Sequence, residues 1–142
     1  ITDETVGDSA EAISLISESE KKCGKVNEAL GDGAYDSKEI FNYCAKHRID
    51  PIIRVRKNSS TKARGSPARA AVVRAIRNYG FADWKKLKRY GRRWGVERAY
   101  SVFKGYFGEY VCSRTFEHMC VEIRQKVALM NVWLHQLSEI KC

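Results

Sequence analysis

The chain has 142 residues, of which 44% are hydrophobic and 11% aromatic, a composition typical of one globular domain rather than of a disordered polypeptide. Its 26 Lys and Arg residues outnumber 17 Asp and Glu residues, and the formal net charge is +9. Neither a bilayer-length apolar run nor a signal peptide is found, which predicts a cytoplasmic protein without a membrane partner.

The first part of the chain is predicted to form a strand–helix–strand unit. In chain order, we predict the frayed end of a strand at residues 1–7, a helix at 9–23, a strand at 25–30, a helix at 38–47 and a strand at 50–55. The first helix is predicted to bury four apolar residues: Ala12, Ile13, Leu15 and Ile16. Ser37 is predicted to cap the second helix. A crossover of this length predicts parallel strands and an α/β fold.

The second part is predicted to be helical. Residues 56–67 form a polar, basic segment that predicts a mobile loop. Three helices are then predicted, at residues 68–78, 84–107 and 118–138, with a break near Gly80. The last helix is predicted to present a broad apolar face.

Most of the positive charge lies in the middle of the chain. Residues 1–53 have a net charge of −5, residues 54–93 a net charge of +13 with Asp83 as their one acid, and residues 94–142 a net charge of +1. Packing so many like charges together is unfavourable unless a polyanion neutralises them. The segment therefore predicts a nucleic-acid partner. A solvated basic face is the alternative.

Four polar residues lie on one face of the predicted helix at 84–107. Tyr90, Arg93, Glu97 and Lys104 fall within an arc of about 60° at about 100° per residue. A carboxylate between cations suits a site that binds a divalent metal ion and phosphate. On spacing alone, an ordinary ion pair between Arg93 and Glu97 remains an open alternative. The very basic segment before this face favours a site.

A second candidate lies in the sequence GDGAYDS, which begins at Gly31. Asp32 follows a predicted strand directly, and the carboxyl end of a sheet strand is a usual place for active-site ligands in α/β folds. A simple turn residue is the alternative. Asp36 could serve as a ligand too, but its position before Ser37 favours a helix-capping role.

These motifs together resemble a known family. The spacing Tyr90-x2-Arg93-x3-Glu97-x6-Lys104 resembles the Y-R-E-K signature of DDE-type transposases of bacterial and archaeal insertion sequences. GDGAYDS is similar to the segment that carries the second catalytic Asp of that family. ITDETVGDSAEAISLI is similar to the strand and following helix of the family, whose DS is structural rather than catalytic, and VEIRQKVALMNVWL resembles the closing helix. The resemblance extends over nearly the whole chain.

The resemblance implies a ribonuclease H-like fold and a transposase that cleaves and joins DNA at insertion-sequence ends by two-metal phosphoryl transfer. Asp32 and Glu97 would be the second and third catalytic carboxylates and ligands of Mg²⁺ or Mn²⁺. The residues expected to bind DNA are Tyr90, Arg93 and Lys104, together with the neighbouring Lys88, Arg89 and Arg92. Trp94 would either stack on a displaced base or pack in the core.

The resemblance also implies a missing part. The family's first catalytic Asp lies on an opening strand upstream of Ile1, and Asp3 and Asp8 match no catalytic position. We therefore expect the C-terminal portion of a single catalytic domain, with an incomplete sheet whose first strands are missing. Its parts would be a sheet and helix part at 1–55, a basic loop at 56–67 and a helical part with the catalytic Glu at 68–142.

Such a fragment is expected to be inactive alone, and the full-length protein to act as a homodimer associated with the nucleoid of a prokaryotic cell. Two alternatives have different consequences. A non-catalytic remnant of a transposase would bind DNA without metal-dependent chemistry. An RNA-binding basic domain would show no preference for transposon-end DNA.

Overall fold

The computed structural model describes residues 8–140, and the predicted strand end at residues 1–7 lies outside them. The helices and strands are α1 (Asp8–Cys23), β1 (Glu28–Gly31), α2 (Lys38–His47), β2 (Asp50–Ile53), α3 (Pro67–Tyr79), α4 (Phe81–Leu87), α5 (Trp94–Phe107) and α6 (Phe116–Ile140). Two 3-10 turns, Gly33–Tyr35 and Tyr90–Arg93, lie between them. The fold is thus mixed α/β and mostly helical.

The chain divides into two compact units. The sheet unit comprises the described residues up to Arg93, and the helical unit begins at Trp94.

The sheet unit contains the predicted strand–helix–strand arrangement. Strands β1 and β2 pair in parallel, with Glu28 opposite Asp50 at their amino ends and Gly31 opposite Ile53 at their carboxyl ends. The connection between them includes α2, as parallel pairing requires. The prediction of a parallel strand pair joined by a helix is confirmed.

Helix α2 begins and ends as local sequence signals predict. The Ser37 hydroxyl accepts a hydrogen bond from Ile40 N at 3.2 Å, which confirms the predicted cap. The helix ends at His47, and the next residue, Arg48, has a left-handed φ of 59° that turns the chain toward β2. Helix α2 buries Phe41 and Cys44 completely against β2 and α3. These contacts make α2 the centre of the sheet unit.

Helix α1 differs in part from its prediction. Ala12 is buried, and Ile13 and Ile16 pack against the core. Leu15, however, is 59% exposed, so its predicted burial is wrong. Leu15 instead lines an open pocket beside β1, together with Ala12 and Leu30.

The predicted continuous helix at residues 84–107 is wrong. Helix α4 ends at Leu87, and Arg89 adopts a left-handed φ of 49° before a 3-10 turn leads into α5. Tyr90 is then buried, with its ring 5.7 Å from that of Trp84 and 6.1 Å from that of Phe81. Six residues along a continuous helix would place Tyr90 about 120° away from Trp84. The break returns Tyr90 to the same cluster.

The helical unit contains α5 and α6. The ring of Tyr106 on α5 packs against that of Trp133 on α6, with the ring centroids 4.7 Å apart. Glu122 holds the connecting segment by accepting hydrogen bonds from Cys112 N at 3.0 Å and Ser113 Oγ at 2.8 Å. The Lys126 ammonium at 2.8 Å, followed by these hydrogen bonds, lowers the pKa of the Glu122 carboxyl to about 2. Much of the predicted apolar face of α6 is exposed, including Leu129 and Val132.

Candidate active site and nucleic-acid interface

Asp32 lies directly after β1, at the carboxyl end of the parallel strand pair. Its Oδ1 atom accepts a hydrogen bond from Ala34 N at 2.8 Å and caps the 3-10 turn that follows. The placement of Asp32 after a strand is therefore confirmed, and so is its place in a turn. Within residues 8–140, its second oxygen receives no hydrogen bond. The carboxylate is held in a fixed orientation with one oxygen available to a ligand.

The prediction that Asp36 caps α2 is wrong, because Ser37 forms the cap. The carboxylate of Asp36 instead forms a two-pronged ion pair with Arg69, with Nε–Oδ1 and Nη2–Oδ2 distances of 2.6 and 2.8 Å. Arg56 N donates to Oδ2 at 3.0 Å, and the Ser59 hydroxyl donates to the same oxygen at 3.4 Å. Burial raises the pKa of the Asp36 carboxyl, but the Arg69 and Arg56 hydrogen bonds outweigh it and lower the pKa. Asp36 therefore joins α2 to the basic loop and α3.

Two of the residues predicted to bind DNA are engaged in ion pairs at the amino ends of the strands. Lys88 Nζ lies 2.6 Å from Asp50 Oδ2, and Arg92 Nη2 lies 2.6 Å from Glu28 Oε2. Glu28 and Asp50 are paired first residues of β1 and β2. Strands of this length separate their two ends by about 10 Å. These ion pairs are therefore at the opposite end of the sheet from Asp32.

Arg89, Tyr90 and Arg93 lie where α4 gives way to α5. Arg89 is exposed and lines an open surface with Lys85, Lys86 and Arg92. Tyr90 packs its ring in the core of the sheet unit. Tyr90 and Arg93 are in a 3-10 turn, so the helical spacing behind the predicted four-residue face does not apply to them.

Glu97 and Lys104 both lie on α5, in its first and later turns. Because they are seven residues apart, they fall on the same face of the helix, separated by about 10 Å along its axis. Glu97 is exposed. Lys104 Nζ lies 3.0 Å from Glu109 Oε1, and this hydrogen bond raises the pKa of Lys104. The ring of Tyr100 lies 5.0 Å from the same ammonium.

The predicted core position of Trp94 is wrong, since its side chain is 60% exposed. Its exposed ring is compatible with the alternative, stacking on a base.

The two predicted metal ligands belong to different units, Asp32 to the sheet unit and Glu97 to the helical unit. In the described part of the chain, no three His, Cys, Asp or Glu side chains come together as a group that could hold a metal ion. The donor chemistry of the predicted pair nevertheless fits the implied cofactor, because carboxylate oxygen is the usual protein ligand of Mg²⁺.

Sequence reasoning gave no individual role to the cations of the basic loop. Arg56, Lys62 and Arg64 line one pocket with Lys38 and Arg69, beside the network around Asp36. The signal that could have identified them was present in the sequence: the loop lies within the +13 segment, and two residues separate it from the end of β2.

The sequence matches the family model of the transposase DDE domain over residues 1–132. The chain belongs to this family. No curated protein and no solved structure matches it. The match covers the whole sheet unit and most of the helical unit.

Membership in the transposase DDE domain family gives the candidate residues a chemical context. Transposases act on DNA, and members of this family generally use divalent metal ions. No helix within residues 8–140 has the length and apolarity to span a membrane.

Proposed function

We propose that the chain is the C-terminal portion of a ribonuclease H-like transposase domain that cleaves and joins DNA at insertion-sequence ends. The observation that carries this proposal is the position of Asp32, a half-buried carboxylate oriented at the carboxyl end of a parallel strand within a transposase DDE domain. Catalytic ligands in α/β folds are usually found at such strand ends.

In this proposal Asp32 and Glu97 hold divalent metal ions, Mg²⁺ or Mn²⁺, together with a carboxylate from an upstream segment. When bound, the ions stabilise the negative charge of phosphoryl transfer and favour deprotonation of the attacking hydroxyl. The Ala34 N–H fixes Oδ1 of Asp32, so that the carboxylate loses little conformational freedom when it binds an ion.

Cations of both units are proposed to contact DNA. Arg89 and Arg93 contribute from the sheet unit and Lys104 from α5. Lys88 and Arg92 form ion pairs with Asp50 and Glu28. They would contact DNA phosphates alongside these carboxylates or in place of them. Tyr90 contributes through its hydroxyl alone, since its ring packs against Trp84.

The role of Glu97 is tested in the full-length protein, with the upstream segment that the proposal implies. Glu97→Gln removes the negative charge but keeps the size of the side chain. We expect Mg²⁺-dependent cleavage of terminal-repeat DNA to fall by more than about 100-fold, because even outer-shell partners of a metal contribute up to that factor. DNA affinity should be retained. The measurement is single-turnover cleavage of a labelled duplex with Mg²⁺ or Mn²⁺.

Glu117→Gln is the matched control, because Glu117 is an exposed glutamate in the first turn of α6. It should cleave like the wild-type protein. An active Glu97→Gln enzyme would overturn the assignment of Glu97. A wild-type protein that binds DNA and never cleaves it with either metal would instead support a non-catalytic remnant.

A further inference from the structure

The basic loop that follows β2 forms a cationic pocket on the sheet unit. We propose that this pocket binds consecutive phosphate groups of a DNA backbone and guides the strand to the sheet end where Asp32 lies. This inference rests on the proposed function for its choice of DNA, and it concerns residues other than those of the Y-R-E-K signature.

The pocket has a volume of about 320 Å³, roughly ten times the volume of a water molecule in the liquid. It is therefore large enough for more than one phosphate group. It is lined by five cations, three neutral polar residues and one small residue: Lys38, Arg56, Lys62, Arg64, Arg69, Asn58, Ser59, Ser60 and Ala63. No acidic side chain is among them. Such a lining provides charge and hydrogen-bond donors, which phosphate requires.

Most of the positive charge in the pocket is not neutralised within the protein. Asp36 forms an ion pair with Arg69. In contrast, Lys38, Arg56, Lys62 and Arg64 form no ion pair with any carboxylate in the part of the chain that the structure describes. A surface with four uncompensated cations around one concave space attracts a polyanion.

A buried network fixes the floor of the pocket. Ser59 is 6% exposed and Asp36 is 8% exposed. Arg69 Nη2 donates to Ser59 Oγ at 2.7 Å, and Arg77 Nη2 donates to Ser59 O at 2.9 Å. The loop is thus tied to α3 by side chains of α3 itself.

Two further hydrogen bonds hold the rest of the loop. Arg74 Nη1 donates to Thr61 O at 3.0 Å, and Asn42 Nδ2 of α2 donates to Gly65 O at 2.9 Å. The predicted mobile loop is therefore anchored along its length. Anchoring reduces the conformational entropy that a phosphate-binding loop loses when it binds.

The position of the pocket connects it to the candidate active site. Arg56 lies three residues beyond Ile53, which pairs with Gly31, the residue before Asp32. Arg56 N also binds the carboxylate of Asp36, four residues after Asp32. The pocket and Asp32 therefore share one end of the sheet. DNA held by the loop would pass from the pocket toward that carboxylate.

The experiment compares two variants that each lose three positive charges. The pocket variant is Lys38→Gln/Lys62→Gln/Arg64→Gln. The control variant is Lys21→Gln/Lys25→Gln/Lys46→Gln, whose residues lie around the carboxyl ends of α1 and α2. Circular dichroism melts establish that both variants fold. Affinity for a short fluorescent DNA duplex is measured by anisotropy between about 50 and 200 mM NaCl.

The pocket variant should bind DNA at least 10-fold more weakly than the wild-type chain. The slope of log K against log[NaCl] should become shallower by about 2 to 3, since each phosphate contact contributes roughly 0.9. The control variant should change affinity by less than about 3-fold and keep the slope, because distant charges are screened at these salt concentrations. Equal losses in the two variants would overturn the pocket in favour of a general electrostatic attraction.

Further outcomes separate the possible ligands. Inorganic phosphate at matched ionic strength should not displace the duplex from the wild-type chain, and displacement would indicate a site for small phosphates instead. Tighter binding of an RNA duplex of the same sequence, with the same loss in the pocket variant, would overturn the choice of DNA. A wild-type chain with no DNA affinity would overturn the pocket, whereas the proposed chemistry is tested separately by Glu97→Gln.

Discussion

Asp36 is the residue at which a local sequence signal and a tertiary contact compete. Its position before a helix predicts a cap, but its side chain is completely buried and bound to Arg69, which is 33 positions further along the chain. Ser37 performs the capping role in its place. A capping residue can be recognised from its immediate neighbours. The partner of a buried carboxylate cannot, because nothing near Asp36 in the sequence identifies Arg69.

The ion pair of Asp36 and Arg69 should contribute measurably to stability. Asp36→Asn leaves the guanidinium of Arg69, with 19% of its side chain exposed, without its bidentate partner. Removing one partner of a buried pair typically costs about 3 kcal/mol. We expect a loss of this size in the free energy of unfolding at pH 7, measured by urea denaturation. Glu18→Gln is the control, because Glu18 is an exposed acid on α1 whose ion pair with Lys22 is also exposed. It should change stability by less than about 0.5 kcal/mol.

The same pair predicts a pH dependence. The pKa of Asp36 in the folded protein lies below its ordinary value of 3.8. The pair therefore stabilises the fold above that value, and its contribution is lost as the pH falls toward the lowered pKa. Asp36→Asn should remove this part of the acid sensitivity. The double variant Asp36→Asn/Arg69→Met should recover at least half of the free energy of unfolding that Asp36→Asn loses. If Asp36→Asn unfolds at the wild-type urea concentration at pH 7, the pair has no net stabilising role.

At the scale of elements, the interruption between α4 and α5 organises the second small core of the sheet unit. Lys88 follows the last residue of α4 and binds Asp50, and Arg89 turns the chain with its positive φ. Tyr90 then packs beside Trp84, which is 1% exposed. The residue that the family resemblance predicts as a DNA contact is thus also a core residue.

This double placement of Tyr90 gives a prediction with two variants. Tyr90→Ala should lower the free energy of unfolding by about 3 kcal/mol, because a buried aromatic ring is lost. Tyr90→Phe keeps the ring and should cost less than about 1 kcal/mol. Tyr79→Ala, at a tyrosine that is 62% exposed, should have little effect. Chemical denaturation measures all three, and a Tyr90→Ala protein as stable as Tyr79→Ala would remove Tyr90 from the core.

Helix α2 and the helix break show how far sequence patterns reach. The predicted bounds of α2 agree with the structure because Ser37 and the following apolar spacing define them locally. The break at Arg89 has no Pro or Gly at the turning residue, so periodicity continued the helix through it. The contacts that favour the break, from Lys88 to Asp50 and from Arg92 to Glu28, join segments that are distant in sequence. The prediction that Tyr90 and Arg93 share one helical face with Glu97 and Lys104 is wrong for the same reason.

At the scale of the whole molecule, the uneven charge distribution also has a role in folding. The acidic first part supplies Glu28, Asp36 and Asp50, which form ion pairs with cations of the +13 segment. From the sequence, that charge predicts a nucleic-acid partner or, as the alternative, a solvated basic face. The structure shows that some of it attaches the middle of the chain to the two strands. The remaining cations still exceed the acids around them, and their mutual repulsion destabilises the folded chain.

This remaining repulsion predicts that NaCl stabilises the chain. Raising NaCl from about 0.1 M to 1 M shortens the screening length from about 10 Å to 3 Å. Long-range repulsion among many cations is then screened more than contact ion pairs at 2.6 Å. We expect Tm to rise by about 3 °C or more, the shift that corresponds to roughly 1 kcal/mol for a domain of this size. Differential scanning calorimetry measures it.

Two charge-matched variants show where the repulsion originates. Lys57→Gln/Lys85→Gln/Lys86→Gln removes three cations of the +13 segment that form no ion pair within residues 8–140. This variant should melt at a higher temperature at low salt, with a smaller response to NaCl. Arg98→Gln/Arg114→Gln/Arg124→Gln removes three from the nearly neutral segment at residues 94–142 and should respond as the wild-type chain does. A wild-type Tm that falls with NaCl would mean that the ion pairs outweigh the repulsion. The charge of the middle segment would then be balanced within the fold, before any DNA is bound.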